Sequence, residues 1–224
     1  MKSQLVREGL RAVFVVAICC LVTVAPADAQ SKKSAKQAES LEKAGESAKH
    51  AVQDVLDSLR NLLAGYNSII DGEAKEPQSA YKKLVKEYDG TGKKIDGAKK
   101  QLAALNKEAD KFFKAWEQDL ASISSESVRE KSANRMETAK KRYASIGETL
   151  AQAREEFAPV VQSLNDQILF LGRDLSPEAV ADLQDEAEVL NQQAAEVTAR
   201  VKELLQKAGE AQDEAEAELE GEEG

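Results

Sequence analysis

The chain has 224 residues, with 40 acidic and 31 basic side chains and a formal net charge of −9 at pH 7. This acidic balance argues against binding nucleic acid or an anionic lipid surface through bulk charge. Aromatic residues make up only 4% of the chain, no stretch shows strand-like alternation, and the abundance of Ala, Leu, Glu and Lys is typical of long helices.

The first 29 residues have the pattern of a cleavable export signal. Basic residues come first, an apolar run follows at 12–24, and Ala27-Asp28-Ala29 gives the small-x-small pattern of a cleavage site. The run is shorter than the roughly 20 residues of a spanning helix. We therefore predict a signal peptide over 1–29, cleavage after Ala29, a periplasmic or secreted product and no membrane span after cleavage. An uncleaved anchor is the alternative. Both cysteines, Cys19 and Cys20, fall in this segment, so the mature chain would form no disulfide.

Residues 30–40 are polar and are predicted to form an N-terminal arm ahead of a helical domain at 41–208. The first helix is predicted to run to about Ile70, because apolar residues recur there at alternating steps of three and four. Gly72 is suited to the left-handed conformation that ends many helices. The spacing predicts a narrow apolar seam that packs against other long helices. Its members are Ala48, Val52, Val55, Leu59, Leu62, Tyr66 and Ile69.

The second helix is predicted to begin at Pro77, since proline is tolerated in a first helical turn. Its seam passes through Gly90 and Gly92, each of which costs about 1 kcal/mol relative to alanine in a helix. We favour one continuous helix, because a loop would usually reset the phase of the seam. A break at Asp89-Gly90 is the alternative. The seam residues are Tyr81, Leu84, Tyr88, Thr91, Ile95, Ala98, Leu102, Leu105, Ala109, Phe112 and Trp116.

Two further helices are predicted after the serine-rich boundary at 124–127. The third has a seam from Met136 to Leu171 and an internal Pro159, which is expected to bend it. The fourth starts at Ser176-Pro177-Glu178, which combines a cap, a first-turn proline and an acid, and ends at Gly209. Residues 210–224 hold eight acidic and no basic residues, so 209–224 is predicted to be an acidic disordered tail.

Short connections between these helices predict antiparallel neighbours. The second and third helices are the longest, so their far ends are expected to extend beyond the other two. The sequence thus predicts an all-α fold: an antiparallel four-helix bundle extending into a two-helix coiled-coil stalk, with residues from about 111 to 143 protruding. Pro159 would lie across from Gly90, Gly92 and Gly97, as a kink facing small residues.

The pattern of reactive side chains predicts no enzyme, cofactor, metal or small-molecule substrate. After the signal there is one histidine, His50, and no cysteine. A carboxylate-bridged metal bundle needs Glu-x-x-His on two helices. Gly90-Thr91-Gly92 lacks the rest of a phosphate-binding loop. His50 is therefore predicted to be a surface residue.

Phe112, Phe113 and Trp116 form the main aromatic cluster, at the predicted base of the stalk. Seam spacing favours Phe112 and Trp116 as core residues, whereas Phe113 lies off the seam and either extends the core or joins a partner-binding patch. These three are the candidate interaction residues. Asn165-Asp166-Gln167 either sets register through buried polar contacts or faces water.

Four stretches of the chain carry a family resemblance. They are Ala80–Tyr88, Phe112–Trp116, Lys141–Tyr143 and Pro159–Leu175. They resemble a bacterial family of exported helical proteins catalogued as domain of unknown function 2959. The likeness covers roughly 41–206, and Asp166–Leu171 is its most specific part. Family members often carry a lipidation cysteine early in the first helix, whereas residues 42–50 here contain no cysteine. The resemblance implies an exported coiled-coil protein and brings no known activity.

These features favour an exported structural or protein-interaction coiled-coil protein, whose partner is another protein or a second copy. A holdase-type periplasmic chaperone using the stalk aromatics is the first alternative. A hydrolase with an unrecognised site is the second.

Overall fold

The computed structural model describes residues 29–221, which form five helices. They are α1 (Ala29–Ile70), α2 (Pro77–Ser122), α3 (Glu126–Leu171), α4 (Pro177–Ala181) and α5 (Gln184–Gly221). No strand occurs within residues 29–221, and the all-α prediction is confirmed. The predicted signal peptide lies outside the described residues except for Ala29.

The helix boundaries follow the local signals in the sequence. Gly72 has a φ of 70°, a left-handed conformation that costs glycine little, and it is the second residue after the end of α1 at Ile70. Ser176 caps α4, with its Oγ accepting a hydrogen bond from the Ala179 N–H at 3.3 Å, and Pro177 occupies the first turn. The predicted fourth helix is divided at Asp182 and Leu183 into the short α4 and the long α5.

Both outer ends of the helical region differ from the prediction. Helix α1 begins at Ala29, so residues 30–40 are helical and not a separate arm. Helix α5 continues through Gly209 to Gly221, where a disordered tail was predicted. Both segments are rich in Ala, Glu, Lys and Gln, which are strong helix formers, and this propensity explains the longer helices.

Helix α2 is unbroken from Pro77 to Ser122, so its predicted continuity through Gly90 and Gly92 is confirmed. Helix α3 likewise continues through Pro159. The exposed position of Pro159 places its ring away from the packed side of the helix.

The chain divides into two compact units, and α1, α2, α3 and α5 each contribute to both. Unit 2 comprises His50–Lys99 and Thr149–Glu203. Its core draws on four helices, as expected for the predicted bundle. The buried seam residues are Leu62, Tyr66, Ile69, Leu84, Val160, Leu164, Ile168, Leu171, Leu183, Ala187, Leu190 and Ala194.

Unit 1 contains, among the described residues, 29–49, 100–148 and 204–221. Its core forms where small and large side chains of α1 pack against those of α2. Nearer the start of α1, Ser34 Oγ donates a hydrogen bond to Asp119 Oδ2 of α2 at 2.6 Å. Helix α1 therefore packs along part of the segment that was predicted to protrude as a two-helix stalk. The physical reason is that Ala38 and Leu41 continue the α1 seam into the polar segment. The core residues are Ala38, Leu41, Ala48, Leu105, Ala109 and Phe112.

Candidate functional site

The aromatic cluster predicted from the sequence forms an edge-to-face stack in unit 1. The Phe112 ring centroid lies 5.5 Å from that of Phe113 and 5.6 Å from that of Trp116, at interplanar angles of 67° and 72°. Tyr143 of α3 extends the stack, 6.1 Å from Phe113. Such edge contacts are the favoured geometry for aromatic pairs and add to their area burial. The cluster therefore joins α2 to α3.

Polar contacts at the margins of this cluster also connect α2 to α3. The Trp116 Nε1–H donates to Ser132 Oγ at 3.0 Å, and the Tyr143 hydroxyl donates to Asn106 Oδ1 at 2.6 Å. Burial, and secondarily the charge of Asp110, raises the pKa of Tyr143 to about 12. The hydroxyl therefore stays protonated and remains a donor at physiological pH.

Lys140 sits over the outer side of the cluster. Its Nζ lies 6.0 Å from the Phe113 ring centroid and 2.7 Å from Glu117 Oε1. The cation thus covers the ring that lies off the α2 seam, at the outer limit of a cation–π contact. The hydrogen bond to Glu117 raises the pKa of Lys140, so the charge is retained.

The three candidate interaction residues differ in accessibility. Phe112 is only 6% exposed, and Phe113 and Trp116 are half-buried. Phe112 and Trp116 hold the seam positions that their spacing predicts, and Phe113 packs against the same core. A role in partner binding stays a prediction for these residues.

Unit 2 contains a buried polar contact that crosses its core. The Tyr66 hydroxyl of α1 donates to Gln167 Oε1 of α3, and both residues are almost fully buried. Burial raises the pKa of Tyr66, with a smaller contribution from Glu186. The Gln167 amide donates to Ser163 Oγ at 3.2 Å and to the Glu186 carbonyl of α5 at 3.5 Å. A satisfied polar group of this kind specifies one alignment of three helices.

A second polar pair aligns α1 with α5. Asn67 and Asn191 exchange two side-chain hydrogen bonds, of 3.0 and 2.9 Å. Of the two alternatives for Asn165-Asp166-Gln167, register setting applies to buried Gln167, while Asp166 is exposed. The side-chain amides therefore act as structural contacts within unit 2.

A cavity of about 280 Å³ lies in unit 2 beside the glycines of α2. Leu62, Thr91, Gly92, Val161 and Leu164 are among its lining residues. Val161, two residues after Pro159, and Gly92 both line this cavity, while Pro159 itself is exposed, so a proline kink facing the glycines stays a prediction. The Thr91 hydroxyl donates to the Glu87 carbonyl and shares a hydrogen bond with Ser58 Oγ, both at 2.9 Å. Asp89, Lys93 and Asp96 also line the cavity, so its walls are partly apolar and partly charged.

The sequence model of one family, described as Protein of unknown function (DUF2959), matches residues 29–219. The chain belongs to the DUF2959 family. No curated protein and no solved structure matches the chain. The family match includes all five helices almost completely, and with them the segment Pro159–Leu175 that carried the resemblance.

The described part of this DUF2959 chain groups no three His, Cys, Asp or Glu side chains in a metal-binding arrangement. His50 is exposed, as predicted. None of the helices between 29 and 221 contains a stretch that is both long and apolar enough to cross a bilayer.

Sequence reasoning missed an exposed apolar surface in unit 2. Leu169, Phe170 and Val189 of this DUF2959 chain are 61%, 43% and 54% exposed. They flank seam residues, so a rule that looks only for the seam passes over them. The available signal was an apolar run, Ile168–Leu171, longer than one helix face can bury.

Proposed function

We propose that this protein is an exported structural or protein-interaction coiled-coil protein that acts without catalysis. The observation that carries the proposal is that the chain forms several long helices. Their apolar side chains follow the seam spacing, and charged residues occupy their other sides. Such helices present extended surfaces to a partner. The export part rests on the signal-like pattern of residues 1–29.

The non-catalytic part of the proposal rests on the sequence. Residues 30–224 contain a single histidine and no cysteine, so that segment offers no cysteine–histidine pair, and a serine–histidine pair would have to use the exposed His50. The holdase alternative gains no support from the aromatic cluster of unit 1, because Phe112 is only 6% exposed and Phe113 and Trp116 pack against the same core.

Export is tested by expressing the full chain in a Gram-negative bacterium and measuring the mass of the product in the periplasmic fraction. The expected product begins at Gln30. A product that keeps Met1 and stays in the cytoplasm overturns the export part of the proposal.

The interaction part is tested by in-cell crosslinking from a photoreactive residue at Ser125, in the connection between α2 and α3. The matched control is the same residue at Asp71, which is also exposed and follows α1. We expect discrete protein adducts from position 125 that are not formed from position 71. Identical adducts from both positions, or none from position 125, count against an interaction through this end of the hairpin.

A further inference from the structure

Three large apolar side chains lie exposed on one side of unit 2, although the core beside them is already filled. Leu169 and Phe170 belong to α3, and Val189 belongs to α5. The residues next to them, Leu171 and Leu190, are 1% and 0% exposed and supply the core contacts. Single exposed apolar residues are common, but a contiguous group indicates a binding surface.

The contacts between α3 and α5 fix the register in which Phe170 and Val189 lie on the two neighbouring helices. Arg200 Nε of α5 lies 3.0 Å from Glu156 Oε1 of α3, and the Gln167 amide reaches the Glu186 carbonyl. These two contacts make α3 and α5 antiparallel neighbours in a fixed register.

Helical periodicity then places the two apolar side chains. Phe170 is one turn after Gln167 and lies on the same flank of α3. Val189 is three turns before Arg200 and lies on the same flank of α5. In the register set by the two contacts, the two positions are offset by three to six residues, or about 5–9 Å, along the paired helices, which is within the reach of a phenylalanine and a valine side chain on neighbouring helices. Leu169 continues the group on the outward side of α3. We call Leu169, Phe170 and Val189 the groove surface.

Four carboxylates lie within four residues of the groove surface along the chain. Asp166 lies one turn before Phe170, Asp174 follows it by four residues, and Asp185 and Glu186 lie one turn before Val189. In the described part of the chain, none of these four forms an ion pair with a lysine or arginine, and Arg173 is the nearest cation in sequence. The surface therefore combines apolar contacts with a negative field.

We propose that the groove surface docks a cationic amphipathic segment of another protein, one with apolar side chains flanked by lysine or arginine. The class of partner follows from complementarity, since an amphipathic helix fits a groove between two helices and its cations would meet the carboxylates. A second copy using the same surface would bring like charges together across a two-fold axis. The inference rests on the proposed interaction function and names its surface and the chemistry of its partner.

The test uses the full mature chain and synthetic helical peptides with fluorescent labels. The first peptide places leucine on one face and lysine on the other. The second replaces lysine by glutamate, and the third has the composition of the first in an order that removes the apolar face. We expect the first peptide to bind most tightly of the three. Its affinity should fall as the salt concentration increases, because salt screens the attraction between its lysines and the carboxylates. We expect the Phe170→Ser/Val189→Ser double variant to lose at least about tenfold in affinity, as is typical when central apolar contacts are removed.

The matched control is Val128→Ser, because Val128 is 49% exposed and lies on α3 in unit 1 among charges of both signs. It should leave the affinity unchanged. Circular dichroism and thermal unfolding check that the variants fold, and Leu169→Ser, at the most exposed of the three positions, gives a second measurement at the same surface.

Two results would overturn the inference. One is equal affinity of the first peptide for the parent chain, the double variant and Leu169→Ser. The other is a dimer of the parent chain, seen by analytical ultracentrifugation, that dissociates in the double variant, since the occupant would then be a second copy. Neither result depends on export or on crosslinking from Ser125, so failure here is distinguishable from failure of the proposed function.

Discussion

Unit 2 and unit 1 are built from the same long helices, but their core side chains differ in size. In unit 2, Leu164, Leu190 and Tyr66 have no measurable exposure and fill the space between four helices. In unit 1, Ala38, Ala48 and Ala109 make up half of the buried cluster. Small residues allow helices to approach closely, whereas a four-helix interior must be filled by large ones. One seam periodicity can therefore support two kinds of packing, and side-chain volume determines which.

The units also differ in how their helices are aligned. Unit 2 uses buried hydrogen bonds, chiefly the one between Tyr66 and Gln167. Unit 1 uses stacked rings with polar contacts at the margin, where the Tyr143–Asn106 bond is exposed to solvent. A buried polar contact is costly to break because water cannot replace the lost partner, whereas a marginal one is easily replaced. The effect of equivalent substitutions should therefore differ between the units.

The largest expected difference comes from core truncation. Leu164→Ala in unit 2 should lower the free energy of unfolding by about 2–5 kcal/mol, toward the upper end because the site is enclosed by four helices. Leu105→Ala in unit 1 removes the same atoms from a residue that is 8% exposed, and should lie toward the lower end. Chemical denaturation followed by circular dichroism measures both. Leu169→Ala, at a 61% exposed position, is the control and should cost little. Equal losses at 164 and 105 would contradict the packing difference.

The next largest effect concerns the buried hydrogen bond. Tyr66→Phe should cost about 1–3 kcal/mol, because it leaves the Gln167 carbonyl oxygen buried without its donor. Ser132→Ala removes the partner of Trp116 in unit 1, where the half-buried indole N–H can reach water, and should cost less. Unfolding of both variants by denaturant gives the comparison.

A double variant separates the hydrogen bond from the packing of the ring. Tyr66→Phe combined with Gln167→Met removes both polar partners, so it should recover part of the stability lost by Tyr66→Phe alone. A double variant that is less stable than Tyr66→Phe would show that Gln167 contributes mainly through its other contacts, to Ser163 and the Glu186 carbonyl.

Much of the helical organisation could be predicted because its signals are local. Gly72 ends α1 and Ser176-Pro177 begins α4 by chemistry that involves only neighbouring residues. The start of α1 differs from the prediction because the segment 30–40 is polar but still helical. Its helical propensity and the burial of Ala38 and Leu41 outweigh the effect of its charge.

The alignment of the helices and the groove surface could not be predicted in the same way. Burial of Gln167 depends on Tyr66, which is 101 residues away in the chain, and no local pattern reports that contact. Exposure of Phe170 and Val189 depends on which face of each helix the core selects once Leu171 and Leu190 are buried. Both are properties of packing between helices and not of any single helix.

A smaller effect, of opposite sign, is expected at glycines that no neighbour crowds. A Cβ added at Gly92 in unit 2 or at Gly147 in unit 1 would meet nothing within 4 Å. Gly92→Ala and Gly147→Ala should each raise stability by about 1 kcal/mol, since alanine is the better helix former. Gly65→Ala is the contrasting variant, because its Cβ would lie 2.9 Å from Glu87 Oε2 and the displaced carboxylate would offset part of the gain. Thermal unfolding measures all three. Unequal gains at 92 and 147 would show that the units differ in more than packing.

The effect that is smallest at neutral pH is a change in alkaline stability. The pKa of Tyr143 is about 12 in the folded chain and about 10 in an unfolded one. The folded state therefore holds this proton more tightly, and its contribution to stability, full below about pH 10, is lost as pH rises toward 12. Tyr143→Phe should make the fall in stability over this range shallower, while costing little at neutral pH because Asn106 is exposed and regains water.

Tyr66→Phe allows the alkaline loss of stability to be compared between unit 2 and unit 1. Burial also raises the pKa of Tyr66, and Tyr66 is fully enclosed in unit 2 whereas Tyr143 is half-buried in unit 1. Tyr66→Phe should therefore reduce the loss of stability at alkaline pH more than Tyr143→Phe does. Urea unfolding at a series of pH values from neutral to alkaline gives each slope. If Tyr143→Phe changed the slope as much as Tyr66→Phe, the tyrosine at the margin of the aromatic cluster would be as shielded from water as the one in the four-helix core, and the contrast between the two units would be lost.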